Sequence, residues 1–261
     1  MDRRRFMTGV SLLAIGGAAG ASAGFEAEPA IATESPTART ATPTGTAAHA
    51  ATVTFRTAPA ARYMALTIDD GPTREWTPQV HRLLARHGAK ATFFVVGARA
   101  QADPDTIQAA VDAGHEVANH TWAHKDLTQH DEAFDRESLE QTHELLIKLT
   151  GQAPTLCRPP YGRIDSVGLA VCTGLNYNVL LWSGHITGSN ATYDTSKILR
   201  DVSPGSVVLA HDGGPEPNQN LMKQLDRLVG GLKDEGYTLV TATELLAAAP
   251  AVPAPPTRPG G

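Results

Sequence analysis

The sequence predicts an α/β fold in which helices cover a parallel sheet. Short apolar segments typical of buried strands alternate with longer segments of helical periodicity, and the alternation repeats about seven times. No glycine-rich phosphate loop follows the first apolar segment, so a nucleotide-binding fold has no direct support. Periodicity alone fits either a closed or distorted barrel or an open doubly wound sheet.

Each predicted strand is a short apolar run. These runs are residues 63–69, 91–97, 116–120, 155–160, 178–182, 205–211 and 237–241. The predicted helices between them are residues 75–88, 104–115, 131–151, 166–174, 195–202 and 220–236. Local signals support several boundaries, since Gly88 suits a helix C-cap, Pro104 a helix start and Lys148 the negative end of a helix dipole.

Composition limits the class of protein. Hydrophobic residues make up 41% of the 261 residues, which is enough for a buried core. The formal net charge of −5 argues against nucleic-acid binding, which favours basic proteins. Residues 61–248 have the size of one domain, and we expect it to be a monomer.

The termini are expected to lie outside this domain. Residues 1–23 combine three consecutive arginines, a mildly apolar stretch and small residues at its end, as a signal peptide does. The arginines resemble a twin-arginine signal, so we expect a secreted or cell-envelope protein. An ordinary secretion signal and an uncleaved anchor are the alternatives. Residues 24–60 and 249–261 are rich in Ala and Pro, which predicts a disordered linker and a disordered tail.

Polar residues end several predicted strands. In chain order these are Asp69 and Asp70, His120, Arg158, and His211. The carboxyl ends of parallel strands meet at one mouth, where sites form. We therefore expect these side chains to lie close together.

His120 and His124 have the spacing of metal ligands. On a helical turn, residues four apart share a face, and neutral imidazole binds several transition metals. With a carboxylate from another strand, the pair would give three protein ligands and leave open positions for water, as in catalytic zinc sites. The alternative is a chance pair on an exposed helix, since the chain has 10 histidines.

The adjacent acids Asp69 and Asp70 can divide two tasks. One carboxylate would bind the metal, and the other would take a proton from the activated water. The cation would also offset the repulsion between the two carboxylates. The alternative is an Asp-Gly-Pro turn whose carboxylates only cap backbone amides.

Four motifs in this order resemble the polysaccharide deacetylase family, also called the NodB-homology or carbohydrate esterase family 4 domain. They are TIDDGP, HTWAH, RPPYG and LAH, at residues 67–72, 120–124, 158–162 and 209–211. The resemblance covers nearly the whole predicted domain. It implies a distorted (β/α)7 barrel with a single catalytic domain. It also implies metal-dependent removal of acetyl groups from an N-acetylated or O-acetylated polysaccharide, such as peptidoglycan, chitin oligomers or xylan.

The resemblance implies a base and a metal site. Asp69 resembles the family's catalytic base, and Arg158 resembles the arginine that holds the base carboxylate. Asp70, His120 and His124 resemble the ligands of a divalent metal. We expect Zn²⁺, with Co²⁺ or another transition metal as alternatives.

The resemblance also assigns residues around the substrate. His211 resembles the general acid that protonates the leaving amine. Tyr161 resembles the residue whose backbone N–H stabilises the oxyanion, and Leu209 resembles a wall of the acetyl pocket. Thr121 resembles a residue that braces the histidine loop.

Apart from the resemblance, Trp76, Trp122 and Trp182 could stack on sugar rings, with core packing as the alternative. Of the three, Trp122 is the one expected to reach the mouth.

One motif of the family is missing. The family has an Asp-Trp pair a few residues after the position of Trp182, and its Asp partners the acidic histidine. Here the pair Gly188–Ser189 aligns with it. His211 is therefore expected to lack that partner, with weaker general-acid assistance or a shifted pH optimum. Asp212 and Asp194 are the replacement partners that the sequence offers.

The chain has two cysteines, Cys157 and Cys172. An exported protein permits a disulfide, and a bridge here would brace the loop that carries Arg158. Two buried free thiols are the alternative.

The resemblance and the signal together predict an exported, metal-dependent deacetylase of a cell-wall or extracellular glycan. Two alternatives stay open: a deacylase of a small non-sugar amide, and a glycan-binding domain with reduced or lost activity. Short insertions between the predicted strands favour an open groove for a polymer.

Overall fold

A parallel sheet forms the centre of the structure, a computed structural model that describes residues 50–249. Its strands are β1 (Val53–Thr54), β2 (Tyr63–Asp69), β3 (Thr92–Val95), β4 (Glu116–Asn119), β5 (Leu156–Cys157), β6 (Asn178–Leu180), β7 (Gly184–His185), β8 (Val207–His211) and β9 (Thr238–Val240). Their order is β1-β6-β5-β4-β3-β2-β8-β7, and β9 pairs with the start of β2. The path ends at β1 on one side and at β7 on the other, so in the described residues the barrel is distorted rather than a closed ring.

Helices cover the sheet. They are α1 (Thr77–His87), α2 (Gly97–Ala102), α3 (Pro104–Asp112), α4 (Glu132–Thr150), α5 (Ser166–Gly174), α6 (Ala191–Asp201), α7 (Gln219–Asp234) and α8 (Ala242–Ala247). This arrangement confirms the predicted α/β class and the distorted (β/α)7 barrel. Within residues 50–249, no helix combines the length and the apolar character needed to cross a bilayer.

All seven predicted strands and all six predicted helices are present, and two short strands and two short α-helices are new. The strands β1 and β7 have two residues each, and the helices α2 and α8 have six each. A six-residue helix has fewer than two turns, and a two-residue strand has a single alternation of its side chains between the two faces of the sheet. Their sequences therefore carry no measurable periodicity.

The folded region begins before residue 60, which corrects the predicted end of the linker. Val53 and Thr54 form the edge strand β1, which pairs with β6, and the N–H of Thr57 donates to the carbonyl of Gly205 at 2.9 Å. Backbone hydrogen bonds attach most of this segment, which has few large apolar side chains. The predicted signal peptide, the linker up to residue 49 and the tail from residue 250 lie outside the described residues.

Strand β2 is the central strand, and its register brings the polar strand ends together. It pairs with β8 along one edge and with β9 and β3 along the other. Asp69 lies opposite His211 of β8, and Val95 of β3 lies opposite Asn119 of β4. The carboxyl ends of these strands are therefore level, which places Asp69, His120 and His211 at one mouth.

Cys157 of β5 and Cys172 of α5 are neighbours but are not bonded. Their Sγ atoms lie 3.3 Å apart, whereas a disulfide bond measures about 2.05 Å. Both side chains are buried free thiols in this structure. The contact is present without the bond, and a disulfide in the exported protein stays a prediction.

Helix α4 buries one carboxylate together with its apolar face. The helix begins after Asp131, whose side chain accepts the N–H of Phe134, and ends at Gly151 with a φ of 73°. Asp135 is buried in the first turn, and neither of its carboxylate oxygens has a hydrogen-bond partner. Burial, followed by the charge of Asp165, raises the pKa of Asp135 to about 6.

Asp135→Asn is expected to change how stability depends on pH. The ordinary pKa is 3.8 and the folded-state pKa is about 6, so the folded wild type holds this proton more tightly than the unfolded chain. That stabilisation is present below the ordinary pKa and is lost as pH rises through the folded-state value. Between acidic and neutral pH, the free energy of unfolding of the variant should therefore rise relative to that of the wild type by about 3 kcal/mol. Urea unfolding across this range measures the gain.

The variant Asp112→Asn, at an exposed aspartate, is the control. If Asp135→Asn kept the pH dependence of stability that the wild type shows, the prediction would be wrong.

Candidate active site

The acidic pair at the end of β2 is separated by the backbone. Asp69 is the last residue of the strand, and Asp70 has a left-handed φ of 74°. Gly213, in the loop after β8, lies against this turn, because a Cβ there would be 2.4 Å from the carbonyl oxygen of Asp70. The two carboxylates therefore leave the chain in different directions from a tightly packed turn.

The histidine loop is irregular rather than helical, which corrects the helical-turn interpretation. The N–H of His120 donates to the carbonyl of Val95 at the end of β3, at 3.0 Å. Thr121 and His124 then adopt left-handed φ values of 67° and 52°. This backbone brings the rings of His120 and His124 to a centroid separation of 4.9 Å.

Three side chains converge on one point. The Nε2 atoms of His124 and His120 lie 3.1 and 3.4 Å from Oδ1 of Asp70. One ligand atom from each residue falls within 4.8 Å of the others. His120 Nδ1 lies 2.6 Å from the carbonyl oxygen of Arg158, so this nitrogen must carry the hydrogen, and the neutral ring presents the Nε2 lone pair to the site. The donor set and its orientation fit a divalent transition metal.

The charges at this point favour a cation. Burial would raise the pKa of Asp70, but hydrogen bonds and charge interactions with His120 and His124 outweigh it and hold the pKa well below its usual range. Burial would likewise lower the pKa of His120, and the charges of Asp69 and Asp70 outweigh it and raise that pKa. A proton and a metal therefore compete for the same nitrogen.

Arg158 fixes the carboxylate of Asp69. Its guanidinium is fully buried, and one nitrogen lies 2.6 Å from Asp69 Oδ1. Other guanidinium nitrogens donate to the carbonyls of Leu180 and Leu181 at 2.8 and 3.1 Å. The group also lies 4.1 Å from the ring centroid of Phe94. A planar fork held in this way leaves the carboxylate one orientation.

These groups line one cavity of about 590 Å³. The predicted site residues on its walls are Asp69, Asp70, His120, His124, Tyr161, Leu209 and His211. The further lining residues include Arg99, Trp182, His185 and Glu216, which the sequence does not assign to the site. Tyr161 is 62% exposed, and its ring packs against that of His124.

Two supporting residues differ from the prediction. Trp122 does not line the cavity, because its ring packs on α2, where a Cβ on Gly97 would lie 2.6 Å from it. The hydroxyl of Thr121 is buried without a hydrogen-bond partner. The loop is braced by Asn119 instead, whose Oδ1 accepts the N–H of Thr121 at 2.8 Å and whose Nδ2 donates to Tyr177 at 2.9 Å. In the sequence, the polar residue Asn119 at the end of an apolar strand was the feature that could have indicated this bracing role.

Neither predicted replacement partner contacts His211, whose Nδ1 is buried without a hydrogen bond in the described residues. Asp212 points the other way and accepts from the hydroxyl of Thr77 at 2.5 Å. Burial raises the pKa of Asp212 to about 7. Asp194 accepts from the N–H and the hydroxyl of Thr187, both at 2.9 Å. Both assignments were wrong because each carboxylate is committed to a different local contact.

A carboxylate from another loop lies at the position of the missing motif. The N–H of Gly188 donates to the Glu216 carboxylate at 2.7 Å, and Asn218 donates to the carbonyl of Gly188 at 3.0 Å. A Cβ on Gly188 would lie 1.8 Å from the carbonyl oxygen of Glu216. Gly188 is therefore fixed by the loop before α7, which leaves no room for the aspartate of the family.

Known proteins share this fold and this sequence pattern. The family model "Polysaccharide deacetylase" matches residues 56–180. A peptidoglycan-N-acetylglucosamine deacetylase of Bacillus cereus is 36% identical over 68% of this chain and 66% of its own length. The peptidoglycan-N-acetylglucosamine deacetylase PgdA of Listeria monocytogenes is 34% identical over 70% of this chain and 38% of its own length.

A solved structure extends the similarity to three dimensions. The crystal structure of a peptidoglycan N-acetylglucosamine deacetylase superposes with a TM-score of 0.70 at 32% identity, over 74% of this chain and 92% of that one. The matched relatives are enzymes named for removing acetyl groups from peptidoglycan sugars. The chain belongs to the polysaccharide deacetylase family.

Gly188→Ala is expected to destabilise the fold by about 1–3 kcal/mol, because the added methyl would overlap the backbone of Glu216. Gly188→Asp carries the same overlap and should not restore the family pair. Gly184→Ala is the matched control, since the nearest atom to its added Cβ lies at 3.8 Å. Thermal unfolding compares the variants, and a Gly188→Asp variant as stable as the wild type would contradict the packing argument.

Proposed function

We propose that this protein is an exported, metal-dependent deacetylase of a cell-wall polysaccharide, with N-acetylated peptidoglycan as the leading substrate. The observation that carries the proposal is the convergence of Asp70, His120 and His124 beside the Asp69–Arg158 ion pair in one cavity. The names of the similar enzymes support the choice of substrate. The arginine-rich N-terminus of the sequence supports export.

Asp70, His120 and His124 would hold the metal, for which we propose Zn²⁺, with Co²⁺ or another transition metal as alternatives. A metal bound there would supply Lewis-acid activation of a water molecule and of the acetyl carbonyl. Every other step falls to side chains and backbone groups of the chain.

Asp69 takes a proton from the attacking water, and Arg158 keeps its carboxylate in one orientation. The backbone N–H of Tyr161 donates to the oxyanion that forms. Leu209 shapes the wall that receives the acetyl methyl group. His211 gives a proton to the leaving amine from the opposite side of the mouth.

A glycan-binding domain with reduced activity is the second candidate. The observation that favours it is the unpartnered Nδ1 of His211. Without a carboxylate partner, no group fixes the orientation and tautomer of this imidazole, so proton delivery to the leaving amine would be weaker. A deacylase of a small non-sugar amide is a third candidate, and the proposed export counts against it.

Acetate release separates these candidates. The purified protein, stripped of metal and reloaded with Zn²⁺ or Co²⁺, would be given peptidoglycan, N-acetylglucosamine oligomers, acetylxylan and a small acetanilide. We expect release from peptidoglycan or the oligomers that disappears with chelator and returns with metal. Glycan binding without release from any substrate would favour the second candidate, and release from the acetanilide alone would favour the third.

Substitutions separate the proposed base from the proposed ligands. Asp70→Asn and His124→Ala should lower Zn²⁺ affinity by at least about tenfold and activity with it. Asp69→Asn should lower kcat by about 10²–10⁴-fold while Zn²⁺ affinity stays within a few-fold of the wild type. His130→Ala, at an exposed histidine stacked on Phe134, is the control. Calorimetric Zn²⁺ titration and acetate release measure the two effects, and full activity in Asp70→Asn would refute the assignment.

A further inference from the structure

Arg99 is a cavity residue that the proposed reaction leaves without a task. It lies on α2, just after β3, and its side chain is half-buried on the cavity wall. One guanidinium nitrogen donates to the backbone carbonyl of Asp70. A Cβ on Gly213 would lie 2.4 Å from the same nitrogen, so the loop after β8 also packs against it. The guanidinium is therefore held in place at the mouth.

The charge of Arg99 has no acidic partner among the described residues. A guanidinium carries five N–H donors, and in residues 50–249 Arg99 makes one hydrogen bond and no ion pair. The nearby carboxylates are engaged elsewhere: Asp69 with Arg158, Asp70 with the two histidines, and Glu216 with the Gly188 amide. A half-buried guanidinium with free N–H donors favours the binding of an anionic group.

The other arginines near the mouth are already paired. Arg158 is buried beneath the cavity and bound to Asp69. Arg163 lies near the rim, with a guanidinium nitrogen 2.8 Å from Asp126. Among the described cavity-lining residues, Arg99 is thus the one lysine or arginine side chain, and its charge faces any bound glycan.

We propose that Arg99 recognises a carboxylate on the substrate and makes the enzyme prefer an anionic acetamido glycan over a neutral one. A guanidinium matches a carboxylate with two parallel hydrogen bonds. N-acetylmuramic acid carries such a carboxylate on its lactyl group, next to the acetylated amine, wherever no peptide is attached to it, whereas an N-acetylglucosamine oligomer carries none. This inference rests on the proposed deacetylase function and names the substrate class within it.

The test compares three tetrasaccharides of equal length. One alternates N-acetylglucosamine and N-acetylmuramic acid, the second is the same compound with its carboxylates converted to methyl esters, and the third is the neutral N-acetylglucosamine tetramer. The readout is the ratio of kcat/KM for the acid to kcat/KM for its ester. We expect Arg99→Met to lower this ratio about tenfold, mainly through KM, and Arg99→Lys to keep part of it because the charge remains. Arg163→Met is the control for loss of a paired cation near the mouth, and its ratio should match that of the wild type.

Three results would overturn the inference. The first is equal activity of the wild type on the acid and its ester. The second is a ratio lowered as much by Arg163→Met as by Arg99→Met. The third is an equal loss of kcat/KM on all three substrates in Arg99→Met. In the last case a fall in Zn²⁺ affinity would show that Arg99 serves to position Asp70. Failure of the proposed function is distinguishable, because the wild type would then release no acetate from any of the three.

Discussion

The buried guanidinium of Arg158 organises the site in two ways. Its side chain binds Asp69 and the carbonyls at the end of β6 and beyond, and its own carbonyl accepts from the ring of His120. One residue thus fixes the proposed base through its side chain and a proposed metal ligand through its backbone. A buried charge without its partner costs about 3–5 kcal/mol, so the fold keeps the pair together. The geometry of the site is therefore tied to the stability of the barrel.

Left-handed backbone at non-glycine positions is concentrated around this site. Of the five such residues in the described chain, four lie there: Asp70, Thr121, His124 and Tyr161. Each conformation costs of the order of 1–3 kcal/mol, which the surrounding hydrogen bonds and packing must outweigh. The left-handed backbone at these positions orients the proposed metal-ligand and substrate-binding groups toward the cavity. A regular helix or strand would not orient them in this way.

The sequence was sufficient for the strands and for the residues at their ends, and insufficient for what lies between them. Apolar runs identify both β2 and β8 in the sequence. Parallel pairing places the carboxyl ends of these strands side by side, so the proximity of Asp69 and His211 could be predicted. The spacing of His120 and His124 is compatible with a helical turn, and only the tertiary contacts of Asn119 and Val95 select the irregular loop.

Side-chain partners were harder to predict than strand ends. A carboxylate near His211 in sequence gives no information about its direction, and Asp212 points toward α1 instead. Trp122 was expected at the mouth because its neighbours are there. The left-handed turn at Thr121 directs the chain so that the ring packs on Gly97. Such choices depend on contacts between residues far apart in the chain, which single-sequence patterns do not encode.

The two sides of the mouth are built by different means, and this explains where the sequence departs from its family. The base and the metal ligands follow strands that are buried and paired on both edges, so a change there would disturb the core. The acid side is formed by the loops after β7 and β8, which meet at Gly188 and Glu216. Loops tolerate substitution more readily than the elements that they connect. In this chain a glycine stands where the family has its aspartate, and the backbone of Glu216 from the other loop fills the space that the glycine leaves. The two residues therefore fit each other.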